Sequence, residues 1–162
     1  MGGDVGALTT LRSVASRAHA DQQPGAQAHA LTALGASLLA VDDLEGAEAV
    51  LREALALQRS LDAPTMLLTP LAYLADLQQR RGQLAGALRT VDEILLILGD
   101  RQIGGVDDPL LVYAICVQVL RSTADPRADA LARLGCQHLL HQGATHPDSP
   151  LSMRVRQWLG CT

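Results

Sequence analysis

Large and small apolar residues recur along this chain with a helical period, and the recurrence itself repeats. Leu31, Leu34, Gly35 and Leu38 are followed by Ala47, Leu51 and Ala54; 40 residues on, Leu71, Leu74, Ala75 and Gln78 are followed by Ala87, Val91 and Ile94. Steps of three and four place each set on one helix face. A small residue on the first helix of a pair precedes a small residue on the second by 12 positions: Gly35 and Ala47, Ala75 and Ala87, Cys116 and Ala128. Small side chains at such points let two backbones approach while neighbouring leucines fill the remaining volume. Hairpins that repeat at this interval bury their apolar faces by stacking on one another.

Caps and breakers divide the pattern into about eight helical segments. A first helix is expected over 6–20, before Pro24-Gly25, and a second over 26–40. Asp42 with Glu45 reads as a capping box that opens a third helix reaching about residue 61. Pro64 and Pro70 bracket the start of the fourth, with Pro70 either at its first position or kinking a helix begun near Thr65. Arg81-Gly82 ends it, and a fifth spans 84–98. After an irregular stretch at 99–107, Asp108-Pro109, Asp125-Pro126 and Ser149-Pro150 each read as a cap followed by a first-turn proline, opening three further helices, the last two over 127–142 and 151–159. No segment alternates as a strand would. The expectation is one all-α domain over 1–162: a right-handed superhelical array of antiparallel hairpins with units at about 26–61, 65–98 and 109–143. Helices 6–20 and 150–159 close its ends, the second through Trp158.

Composition narrows the rest. The chain has 162 residues, no Phe and one Trp, so Leu, Ala, Val and Ile must fill the core. All 13 basic residues are Arg against 17 acidic ones, a net charge of −4 with no clustered basic stripe, which argues against direct nucleic-acid binding. No apolar run approaches the ~20 residues that cross a bilayer, and the first residues lack the pattern of a secretory leader. A cytoplasmic protein is expected. Cys116, Cys136 and Cys161 are widely spaced and odd in number, which suits separate thiols in a reducing compartment.

The paired small residues, together with Gly82 in a tight turn, resemble the tetratricopeptide repeat, best over 29–60, next over 69–98, and least over 110–143. The interval of 40 exceeds the roughly 34 residues of that repeat, implying longer helices or connections. A narrower resemblance covers about 84–140. Val91-Asp92-Glu93-Ile94-Leu95, Asp108-Pro109-Leu110-Leu111-Val112-Tyr113, Val119-Leu120 and Asp125-Pro126-Arg127-Ala128 are similar to the C-terminal repeats of large bacterial transcriptional regulators and nucleotide cyclases that carry an ATPase module. That resemblance implies a regulatory, signalling setting in which other domains of a larger parent are candidate partners. It does not bring ATPase or cyclase activity, because the chain has no Lys and so no phosphate-binding Gly-x4-Gly-Lys-Ser/Thr loop.

The tetratricopeptide resemblance implies that the first helix of each pair lines a concave face that holds a peptide or a helix. Counted from the small residues, that face carries His29, Thr32, Ala36 and Leu39, then Thr69, Ala72, Asp76, Gln79 and Arg80, then Leu110, Tyr113, Val117, Leu120 and Arg121. The lysine clamp with which some members of the family hold a C-terminal carboxylate is missing, and Arg80 and Arg121 are the substitutes. The chain therefore reads as a protein-interaction scaffold with no catalytic residue and no cofactor. The alternative is a small metal-binding protein or enzyme using Cys136, His138 and His141, of which only His138 and His141 are neighbours on a helix. The acidic pairs Asp42-Asp43, Asp92-Glu93 and Asp107-Asp108 read as caps and solvated faces. Leu8, Leu11, Val14 and Ala15 form an apolar stripe on the first helix that offers a route to self-association.

Overall fold

The computed structural model of the chain describes residues 3–99, 108–141 and 157. The fold is all-α, and among the described residues the helices are α1 (Gly3–Ala20), α2 (Pro24–Ala40), α3 (Leu44–Ser60), α4 (Leu68–Arg80), α5 (Leu84–Leu98), α6 (Pro109–Ser122) and α7 (Arg127–His141). A single 3₁₀ turn, Pro64–Leu67, leads into α4. Pro70 thus sits in the first turn of α4, where its missing N–H breaks no bond within the helix. The segment expected at 150–159, with Trp158, lies outside the described residues.

One device makes most of the turns. The backbone N–H groups of Gln23, Asp43, Gln83 and Asp125 donate to the carbonyl oxygens five residues back, on Ala18, Leu38, Gln78 and Leu120, at 2.8–2.9 Å. The residue just before each donor, Gln22, Asp42, Gly82 or Ala124, is left-handed, which completes the C-terminal motif that stops a helix and reverses the chain. This geometry relocates the expected cap. Asp42 is the left-handed residue ending α2, and Asp43 is the N-cap of α3, its Oδ1 accepting from the Gly46 N–H at 3.0 Å.

The hairpins α2/α3, α4/α5 and α6/α7 stack so that α2 packs on α4 and α4 on α6. The second helices α3, α5 and α7 form an outer layer whose backbones stay apart. Side chains bridge that layer: Arg59 Nη2 pairs with Glu93 at 2.9 Å, Arg127 Nη1 with Asp92 at 2.7 Å, and Arg81, in the turn before α5, with Glu48. Between the layers runs an apolar core in which Leu51, Ala75, Ala87, Val91, Ile94, Val112 and Cys116 are fully buried. Gly35 is required by this packing, since a methyl group there would lie 2.6 Å from Leu51 Cγ and Cδ2, one turn past Ala47. Of the stripe on α1, Leu8 and Leu11 pack against the α2/α3 core and Ala15 is buried, while Val14 stays 46% exposed.

Candidate functional site

Stacking α2, α4 and α6 side by side creates an open pocket of about 450 Å³ across their exposed faces. It is lined by Ala36, Leu39 and Ala40 from α2, by Tyr73, Asp76, Gln79 and Arg80 from α4, and by Leu111, Ile115 and Gln118 from α6. The helix period accounts for the α4 set, because Tyr73, Asp76 and Arg80 follow at steps of three and four and share one face.

The polar groups of the pocket are tied together across the stack. Arg80 donates from Nε and Nη2 to the two carboxylate oxygens of Asp76, at 3.2 and 2.8 Å, and from Nη1 to the Leu39 carbonyl oxygen at 2.9 Å. It thereby neutralises Asp76 and adds a second donor to the Leu39 carbonyl, which already accepts from the Asp42 N–H at 3.2 Å at the C-terminal end of α2. Gln79 Nε2 reaches the carbonyl oxygen of Gln118 at 3.5 Å, a long bond from α4 to α6. Tyr73 stands in the wall between them. Its phenol pKa is pushed up by burial first and then by the negative charges of Asp108 and Asp76.

Of the residues expected on the concave face, Ala36, Leu39, Asp76, Gln79 and Arg80 line this pocket. His29 is exposed in the second turn of α2, and Thr69 is half-buried at the start of α4. Thr32 is buried and its hydroxyl donates to the Ala28 carbonyl oxygen at 2.9 Å; Ala72 is buried as well. On α6 the register is one residue away from the expectation. Val117 and Leu120 are buried, Arg121 is exposed at the helix end, and Tyr113 turns towards α7, its ring centroid 6.0 Å from that of His138. The five-residue turn bonds explain the difference: Gln78 and Leu120 are equivalent and 42 apart, whereas matching Ala75 to Cys116 gives 41. The corrected interval aligns Tyr73 with Ile115 and Asp76 with Gln118, as the pocket has them.

In the Cys136, His138 and His141 region, the His138 ring lies against Tyr113. Cys136 is disulfide-bonded, where separate thiols were the expectation, so its sulfur has no thiolate to offer an ion. Among the described residues no group of three or more His, Cys, Asp or Glu is placed to hold a metal ion. Cys116 is free and enclosed in the core, and burial pushes its thiol up to about 12, far from the range of a nucleophile at neutral pH. The acidic pairs have structural partners: Asp43 and Asp108 cap α3 and α6, and Asp92 and Glu93 hold Arg127 and Arg59. Among the described residues no helix is long and apolar enough to cross a membrane.

No protein-family model matches the chain, and no curated protein does. Among solved structures the chain is similar to BtubC (BKLC) from P. vanneervenii, with a TM-score of 0.71 and 18% sequence identity. The alignment covers 99% of this chain and 65% of that one. At that identity the likeness is one of fold: the stacked helices recur, across about two thirds of the other protein's length.

Proposed function

We propose that this chain is a protein-interaction scaffold, a tetratricopeptide-like module that holds a peptide, a helix or a neighbouring domain in the pocket across α2, α4 and α6. The observation that supports this most is the pocket itself, an open, largely apolar trough built by three successive first helices and bridged by polar side chains. Sites of this size and character suit a few anchoring side chains better than a large flat interface. The chain works in this reading without catalysis of its own. Its setting is regulatory and cytoplasmic, as the end of a larger regulator or as a free-standing relative, on the strength of the resemblance over 84–140.

Ala36→Arg places a long side chain across the pocket without removing any core residue. Capture of partners from the native cell by the wild-type chain and by this variant, followed by hydrogen exchange on the recovered complex, tests the reading. Expected are a partner lost with the variant and protection over 73–80 and 111–118. Equal capture by both chains, with protection elsewhere, would remove the pocket from the function.

A further inference from the structure

The pocket's charge is uneven, and the unevenness bears on what it holds. Arg80 is the one cation among its lining residues, and it is committed to Asp76 and to the Leu39 carbonyl. Arg121 lies three residues beyond Gln118, exposed and outside the lining. Tyr73 presents a hydroxyl that hydrogen-bonds to no other described residue, in a wall otherwise made by Leu39, Leu111 and Ile115. Asp76 stands one turn along the same helix, and Asp108 caps the helix that forms the opposite wall. Asp108 Oδ1 accepts from the N–H of Leu111, a lining residue, at 3.0 Å, and among the described residues Asp108 pairs with no cation, so negative charge lies at this edge of the pocket, in line with the raised pKa of the Tyr73 phenol.

We propose that the pocket seats a peptide segment in which one Lys or Arg, flanked by apolar residues, lies against Tyr73 within reach of the charge of Asp108. This deepens the scaffold reading above and rests on it. A cation there donates to the phenol oxygen, is attracted by the Asp108 carboxylate and covers the ring face. The apolar neighbours settle on Leu39, Leu111 and Ile115. An acidic segment or a free C-terminal carboxylate meets the reverse: the lining guanidinium is already neutralised and turned towards α2, and the remaining charge repels it. The preference is thus opposite in sign to that of a carboxylate clamp.

Random peptides of about 16 residues, long enough to cross the trough extended or helical, are selected by phage display on the full chain and counter-selected on Ala36→Arg. Retained peptides are then measured against wild type, Tyr73→Phe and Asp108→Asn, the last keeping a capping side chain while removing the charge. Circular dichroism checks that each variant is folded. The expected peptides share a Lys or Arg beside apolar residues, and replacing that residue by norleucine weakens binding about tenfold. Asp108→Asn weakens the basic peptide about threefold, weakens the norleucine peptide not at all, and flattens the salt dependence of the basic one. Pocket-dependent peptides with no shared cation, or with affinity unchanged on its replacement, overturn this inference and leave the scaffold reading standing. If no peptide depends on the pocket, both fall.

Discussion

Arg80, in the last turn of α4, donates to the carbonyl oxygen of Leu39, in the last turn of α2, at 2.9 Å. The same guanidinium grips both oxygens of Asp76, so one side chain balances a carboxylate and bridges two units.

Replacing Arg80 by Ala removes one of the two donors to the Leu39 carbonyl and leaves the partly buried Asp76 carboxylate without its counterion. Since Arg80 is itself 42% exposed, solvent screening limits the loss to about 1 kcal/mol. Urea titration is the measurement. Arg80→Lys should recover less than half of that loss, because an ammonium cannot serve both partners in the fork geometry. A variant as stable as wild type would show that the bridge carries no energy.

Gly35 allows α2 to lie against Leu51. In Gly35→Ala the new methyl meets Leu51 at 2.6 Å, and Leu51 is completely enclosed, so the helices must part or the leucine must leave its rotamer, at about 1–3 kcal/mol. Gly35→Ala/Leu51→Val should recover part of this by making room. The thermal midpoints of the two variants report the sign directly.

Gly82 and Ala124 occupy the same left-handed position in two turns, with φ of 71° and 53°. Nothing lies near the place where a Cβ on Gly82 would sit, so Gly82→Ala costs conformational strain alone, roughly 1 kcal/mol. Ala124→Gly relieves that strain and gains up to about 1 kcal/mol, less the added freedom of the unfolded chain. The two substitutions should therefore move stability in opposite directions in chemical denaturation.

Asp125 accepts from the backbone N–H of Arg127 and from its guanidinium, while Arg127 also reaches Asp92 on α5. The side-chain bond to Arg127 is the main reason the carboxyl is lowered from 3.8 to about 2. A carboxyl lowered on folding stabilises the fold above its unfolded value, and the stabilisation is lost as pH falls through the folded one. Stability should thus decline between about pH 4 and pH 2, and Asp125→Asn should flatten that part of the profile. A profile that Asp125→Asn leaves unaltered would rule out the linkage.

The helices and their pairing are legible in the sequence because each depends on local signals: proline at a first turn, Gly82 at a stop, small residues opposite leucines. The cap of α3 is not, since Asp suits both a left-handed helix stop and an N-cap, and Asp42 and Asp43 are adjacent. Counting α6 from Cys116 points Tyr113 and Val117 into the pocket. Counting back from the turn at Asp125 gives Ile115 and Gln118, but that turn's left-handed residue is Ala124, which nothing in its chemistry announces. Tyr73 was within reach of the sequence: it lies three residues before Asp76 and seven before Arg80, on the face they share. What no single sequence reveals is that Arg80 faces inward, because the acceptor that fixes it is a main-chain oxygen on another helix.

Because, among the described residues, each hairpin touches only its immediate neighbours, the array behaves as a short linear chain of coupled springs. Removing an end unit should leave the remainder standing, with melting that begins at the termini and advances inward. The Arg80 bridge sits at a middle joint of that chain, so a ligand that stiffens it would change how readily the whole array bends.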